Sequence, residues 1–405
     1  MSTWLIPRNE LTLEQLRAID LPHTEHQVIF GAPGSGKTQI LLHRAVELRR
    51  RLGSTDGRFR ILVFTGVLKN YLRSALELLG LPEQVVSTFD DWCKGFYERH
   101  INSRVPWDAV AKRPDFEAIR TAVAQRIASG TVRLPLYDFV LVDEGQDLES
   151  ANFDMLRRIA GHVTVCLDHK QQIYERGCCE TEILNALGLR RRNMTLLDAY
   201  RCSPFVARLA AQFLQEAAER EQYLRQVRTE QRERELPLLY EAASFQDEKR
   251  RLTEVLRQRL LTDQRVAVLF PLRRQVFGFA KGLAAAGIEV ETQENLDFGS
   301  SRPKLITYHS AKGLTFDSVL LPRLVAESFP RTTDARQRRL LFVAVTRATR
   351  WVYMSTVVGD SIPLLADLKR MEAERGLTIQ RFEHASVQSA PPESSERESS
   401  GLDFL

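Results

Sequence analysis

Short runs of β-branched and aromatic residues alternate with longer amphipathic stretches along most of the chain. The apolar run Gln27–Phe30 predicts a strand, followed by a glycine-rich loop and a helix over Thr38–Leu52. Arg60–Thr65 predicts a second strand, with a helix over Leu68–Leu79 after it, and Tyr137–Val142 and His162–Leu167 read as further strands. These strands are apolar on both faces rather than alternating. That is the pattern of a parallel sheet covered by helices on each side. A second alternation begins near Asn193: helix Pro204–Ala218, strand Arg265–Phe270, helix Arg274–Ala286, strands Lys304–Tyr308 and Ser318–Pro322, helix Ala335–Thr346 and strand Trp351–Ser355. The pattern predicts an α/β fold in two domains, residues 1–192 and 193–384.

Two stretches stand outside this alternation. Glu216–Glu235 is dense in mixed charge with opposite signs four residues apart, and reads as a solvated helical face or loop. Ala385–Gly401 is rich in Ser, Pro and Glu, so residues 385–405 are expected to be a disordered tail. Its apolar tip, Leu402-Asp403-Phe404-Leu405, reads as a free terminus, with a docking peptide for a protein partner as the alternative.

Composition narrows the class. At 405 residues the chain is long enough for two cores, and 43% hydrophobic with 27% charged residues excludes wholesale disorder. No apolar run approaches the ~20 residues that span a bilayer, so no membrane partner is expected. Met1–Arg8 lacks the charged-then-apolar order of a secretory leader. Cys93, Cys166, Cys178, Cys179 and Cys202 show no CxxC or Cys/His spacing. They read as reduced thiols of a cytoplasmic protein. A net charge of +5 permits a nucleic-acid partner without requiring one.

Specific chemistry enters at Gly31-Ala32-Pro33-Gly34-Ser35-Gly36-Lys37-Thr38, which fits GxxxxGK[ST] between a strand and a helix. The glycines let the backbone curl so that successive N–H groups face phosphate oxygens, and the helix N-terminus adds its positive end. Lys37 is suited to reach the β- and γ-phosphates and the Thr38 hydroxyl to ligate Mg²⁺. These residues, with Gln39, form the expected nucleotide cradle. The strand Phe139–Val142 then runs into Asp143-Glu144-Gly145-Gln146-Asp147, placing two carboxylates at the edge of the sheet where α/β folds take ligands. Asp143 suits Mg²⁺, held by way of water, and Glu144 suits a general base for the attacking water. Together the two motifs point to hydrolysis of a nucleoside triphosphate.

Further motifs follow in order. They are Leu11–Gln15, Val63-Phe64-Thr65, Val86–Trp92, Asp143–Asp147, Asp168–Tyr174, Ala199–Ser203, Tyr308–Phe316 and Arg338–Ala348. Over about residues 11–350 the chain thereby resembles superfamily 1 helicases of the UvrD/Rep/PcrA type. The resemblance implies two RecA-like P-loop NTPase domains with an ATP cleft between them, and ATP and Mg²⁺ as cofactors. It implies that Gln15 reads adenine, Tyr200 stacks on it, and Gly313 joins the nucleotide set. Gln171 would sense the γ-phosphate, and Arg201 and Arg347 would approach it as arginine fingers. Fixed cations of that kind are worth roughly 10³–10⁵ in rate. Phe64 and Tyr174 match stacking positions for single-stranded DNA, and Thr88 and His309 match backbone contacts. The alternative for the two aromatics is a buried packing role, and for His309 a satisfied histidine between domains.

The chain also departs from those relatives. The run after Ile173-Tyr174 lacks a tryptophan, Asp90 replaces a histidine, and Thr315 replaces a carboxylate. Residues 97–136 leave room only for a small insertion. Two functions therefore compete: a single-stranded DNA translocase or helicase, 3′→5′ by resemblance, in DNA repair, replication or phage defence; or an ATP-switched nucleic-acid-binding or regulatory subunit without processive unwinding. RNA is a third possible substrate, since stacking platforms do not by themselves separate the two polymers.

Overall fold

The computed structural model describes residues 4–168, 177–196, 199–229, 235–330 and 332–382. The chain divides into two units, residues 1–200 and 201–405. Through the first unit the elements run α1 (Leu13–Ile19), β1 (Gln27–Gly31), α2 (Lys37–Leu52), β2 (Phe59–Val63), α3 (Gly66–Leu76), β3 (Val86–Thr88), α4 (Phe89–His100), β4 (Trp107–Asp108), β5 (Arg113–Pro114), α5 (Phe116–Ala128), β6 (Tyr137–Val142), α6 (Ser150–Ile159), β7 (Ala160–Leu167), α7 (Glu180–Ala186) and β8 (Met194–Leu196). The sheet order is β3-β2-β6-β7-β1-β8 and the neighbouring strands are parallel.

Burial on both sheet faces explains the unbroken apolar strands. Val140, Val142, Val163 and Val165 share one core with Phe96, Ile119, Val123 and Phe153 from α4, α5 and α6. Helix starts are set by side-chain caps. Thr65 accepts the Leu68 N–H at 3.1 Å, so α3 begins ahead of the expected Leu68, and its last turn tightens into a 3₁₀ segment at Glu77–Leu79. The expected joint after residue 192 falls before β8, which pairs with β1 and so extends the first unit to residue 200.

The second unit repeats the architecture. A short ribbon pairs β9 (Ala199–Cys202) with β10 (Val227–Thr229), and α8 (Pro204–Gln212) and α9 (Ala217–Gln226) lie between them in sequence. Then come β11 (Leu238–Ala242), α10 (Phe245–Thr262), β12 (Val266–Phe270), α11 (Arg273–Ala285), β13 (Glu291–Thr292), β14 (Lys304–Thr307), β15 (Phe316–Leu321), α12 (Asp334–Val345), β16 (Ala348–Val357), α13 (Lys369–Ala373) and β17 (Thr378–Arg381). The parallel order is β13-β14-β12-β15-β16-β11-β17.

One expectation changes here. The helix expected over Pro204–Ala218 stops at Gln212, with Phe213 and Leu214 buried after it. The charged stretch Glu216–Glu235 holds a largely solvated helix, α9, and runs on into β10; within α9 Tyr223 is buried edge-on against Phe342, with ring centroids 5.3 Å apart. The expected tail, residues 385–405, lies outside the described residues. Among the described residues no helix is long and apolar enough to cross a membrane.

Candidate active site

The carboxyl end of β1 turns through Ala32–Gly36 into α2. Gly36 sits at φ 83°, in the left-handed region, and a Cβ there would collide with the Gln15 amide. At Gly31 a Cβ would collide with Ser35 Oγ. Neither position has room for a side chain. Gly36 gives α2 no side-chain cap, which leaves the first helical N–H groups facing the loop for an anion. The Ser35 hydroxyl is buried with no hydrogen-bond partner among the described residues, as expected of a group that waits for a ligand.

Lys37 is buried, and its Nζ donates to Gly31 O at 2.7 Å and Ala32 O at 3.0 Å, with Asp168 Oδ2 3.8 Å away. The Thr38 hydroxyl donates to Asp143 Oδ2 at 2.7 Å, although the two residues follow strands separated in the sheet by β7. Burial, and next the neighbouring Glu144, push the Asp143 carboxyl up to about 6. Hydroxyl and carboxylate oxygens are the hard donors Mg²⁺ prefers. The residues therefore fit the ion: Thr38 and Asp143 would hold it, and phosphate oxygens and water would complete its shell.

Glu144 is one of few non-glycine residues with positive φ, at 55°. Such a backbone costs about 1–3 kcal/mol and is typical of functional sites. Its carboxylate is aimed by Gln146, whose Nε2 donates to Glu144 Oε2 at 2.5 Å. The other end of the same amide, Oε1, accepts the Asp168 N–H at 2.9 Å. Gln146 thus ties the end of β6 to the end of β7. Both Gln146 and Asp168 lie within sequence motifs, yet the sequence alone assigns neither a role. The signal present there is an amide two residues beyond the candidate base, where a buried carboxylate needs a donor.

Gln15 closes the loop from the other side. It forms a capping box with Thr12 and donates its Nε2 to Ser35 O at 3.1 Å. Gln39, expected in the nucleotide set, has its side chain engaged with the N-terminal segment, while its backbone N–H belongs to the first turn of α2. Its amide donates to Trp4 O at 3.1 Å and accepts the Ile6 N–H at 3.2 Å, so it straps the N-terminal segment onto α2.

Among the nucleic-acid candidates of the first unit, Phe64 is half-buried and lines a small gap together with Asp143 and Leu148. The Thr88 hydroxyl accepts the Asp91 N–H at 3.0 Å and caps α4. In the second unit, burial and then Arg336 and Lys312 push His309 down to about 4, so it is neutral near pH 7. Gly313 takes φ 79° in the loop after β14. Arg347 is 3% exposed and donates to Val343 O at 3.0 Å, Leu314 O at 3.3 Å and Thr346 Oγ1 at 3.1 Å. Gln171 and Tyr174, and the side chains of Tyr200 and Arg201, lie outside the described residues. The structure thus brings together Gln15, Gly31–Thr38, Asp143 and Glu144 within one unit.

Comparison with known proteins adds a family context. Residues 293–359 match the UvrD-like helicase C-terminal domain. A probable DNA helicase of Mycoplasma pneumoniae M129 is 24% identical over 271 residues, which cover 62% of this chain and 49% of that protein. The match spans about half the length of that relative. Among solved structures, the C-terminal domain of a possible DNA helicase from Lactobacillus plantarum WCFS1 covers 44% of this chain and 98% of its own, at 20% identity and a TM-score of 0.35.

Proposed function

From a chain that resembles the UvrD-like superfamily 1 helicases, we propose an ATP-driven motor on nucleic acid: a single-stranded DNA translocase or helicase of 3′→5′ polarity. The observation that carries the reading is the Thr38–Asp143 hydrogen bond at 2.7 Å beside a Glu144 carboxylate aimed by Gln146. A hydroxyl, an acid and a held base meet at the mouth of a phosphate loop.

Lys37 exchanges its partners, the carbonyls of Gly31 and Ala32, for the β- and γ-phosphate oxygens of ATP. Thr38 and Asp143 would hold Mg²⁺, which when bound would neutralise phosphate charge. Glu144 accepts the proton of the attacking water, and its bond from Gln146 fixes the direction of that transfer. Gln15 couples the adenine side of the site to the loop through Ser35 O. Tyr200 is assigned to adenine, Gln171 to the γ-phosphate, and Arg201 and Arg347 to the charge that builds during transfer. For Arg347 this role requires giving up the oxygens of Val343, Leu314 and Thr346 for phosphate. Phe64, Tyr174, Thr88 and His309 are assigned to the nucleic acid. A neutral His309 hydrogen-bonds a phosphate rather than ion-pairing with it.

One observation favours the second reading, an ATP-switched binding or regulatory subunit. The insertion consists of a two-residue-strand hairpin and the single helix α5, a small surface for gripping duplex. ATP hydrolysis measured with single-stranded DNA, duplex DNA and RNA, with strand displacement scored alongside, tests both readings. The motor predicts strong stimulation by single strands. Equal rates with and without nucleic acid contradict it, and stimulation without movement selects the switch.

A further inference from the structure

Trp107 is 61% exposed at the start of the β4–β5 hairpin, and Val110 at its tip is 95% exposed. Trp92 and Trp351, by contrast, are buried, as expected of so large an apolar ring. The exposed indole offers a large flat apolar face to a flat partner.

The hairpin is firmly mounted. The Asp115 N–H bonds Pro106 O at 2.9 Å across its base, and the Asn102 N–H bonds Tyr97 O at 3.1 Å where the chain leaves α4. Beneath it α5 buries Ile119 and Val123 in the core of the first unit. Trp107 therefore stands on a fixed base, which limits the entropy lost when something stacks on it.

Charge selects the partner. From Ile101 to Pro114 the chain carries Arg104, Lys112 and Arg113, all exposed, against one acid, Asp108. The Asp108 carboxylate is taken up by the N–H groups of Val110 and Ala111, each at 3.0 Å. Trp107 lies across from Pro114, and Arg113 across from Asp108 on the other face of the hairpin; an exposed aromatic ring with cations on the same short segment suits an unpaired base and nearby phosphates. A protein partner fits less well. A stable interface needs roughly 800 Å² per side, and this hairpin offers two large exposed apolar side chains.

We propose that the β4–β5 hairpin is a stacking platform for single-stranded nucleic acid, with Trp107 beneath a base and Arg104, Lys112 and Arg113 against phosphates. The proposal rests on the motor reading and adds a binding element outside the motif residues.

The test uses the full chain and fluorescently labelled oligo-dT, with binding followed by anisotropy and by tryptophan emission. Trp107→Ala should weaken binding about tenfold, while Trp107→Phe retains most of it. Stacking should quench wild-type emission, and that quench should vanish in Trp107→Phe. Replacing Arg104, Lys112 and Arg113 by alanine should flatten the salt dependence, lowering its slope by about 0.7 for each phosphate no longer neutralised. ATP hydrolysis without nucleic acid should be unchanged in every variant, which separates weakened binding from unfolding. Wild-type affinity in Trp107→Ala, or a wild-type quench in Trp107→Phe, would overturn the platform and leave the motor reading standing. A wild-type chain that hydrolyses ATP but binds no oligonucleotide would overturn the motor reading itself, and the platform with it.

Discussion

Asp90, in the first turn of α4, accepts a 2.6 Å hydrogen bond from Arg120 of α5. This aspartate, whose charge would repel a phosphate, clasps the insertion's helix.

Both partners are partly exposed, so the pair is worth less than about 1 kcal/mol. Apolar packing must hold α5 in place. Arg120→Ala should lower stability by under about 1 kcal/mol, with a coupling to Asp90→Ala that shrinks as salt rises. Ile119→Ala, at a fully buried site, should cost about 2–4 kcal/mol. Urea unfolding of the single and double variants measures both, and an Arg120 effect larger than the Ile119 effect would reverse this ordering.

Gln146 satisfies Glu144 and the Asp168 N–H with the two ends of one amide. Gln146→Leu should reduce kcat at least about tenfold, because a general base supplies about 10²–10⁴ and depends on its direction. ATP affinity should stay near wild type, since the Gln146 amide is engaged with Glu144 and Asp168 and not with Lys37 or Thr38. Single-turnover hydrolysis and nucleotide binding on the same variant separate the two effects.

His162 is buried, with its Nε2 3.1 Å from the Arg44 guanidinium. Burial first, and Arg44 next, push it down to about 3 from an ordinary value near 6.5. The folded chain therefore refuses a proton that the unfolded chain accepts. The stabilisation from keeping His162 neutral is complete above about pH 6.5 and is lost as pH falls toward about 3, at up to roughly 1.4 kcal/mol per pH unit. Between pH 7 and 5.5 wild type should lose about 1 kcal/mol more stability than His162→Gln does. Parallel urea midpoints for the two proteins would contradict this assignment.

The parallel sheets and the phosphate loop were legible because their signals are local. Val140-Leu141-Val142 is apolar on both faces, and Gly31–Thr38 has a fixed spacing. What escaped depends on contacts distant in sequence. Gln146 matters because β7 delivers Asp168 beside it, and β8, at three residues, is too short to announce its pairing with β1. The helix expected through Ala218 is two helices, α8 ending at Gln212 and α9 starting at Ala217, with Phe213 and Leu214 buried between them.

In the proposed mechanism Glu144, held by Gln146 beside the Thr38–Asp143 pair, is the base that drives ATP turnover. Glu144→Gln keeps the shape of the site and removes the proton acceptor. ATP hydrolysis and ATP binding are to be measured together on this variant. The expected result is turnover reduced by about 10²-fold or more with binding retained. Turnover at the wild-type rate with binding intact would contradict it.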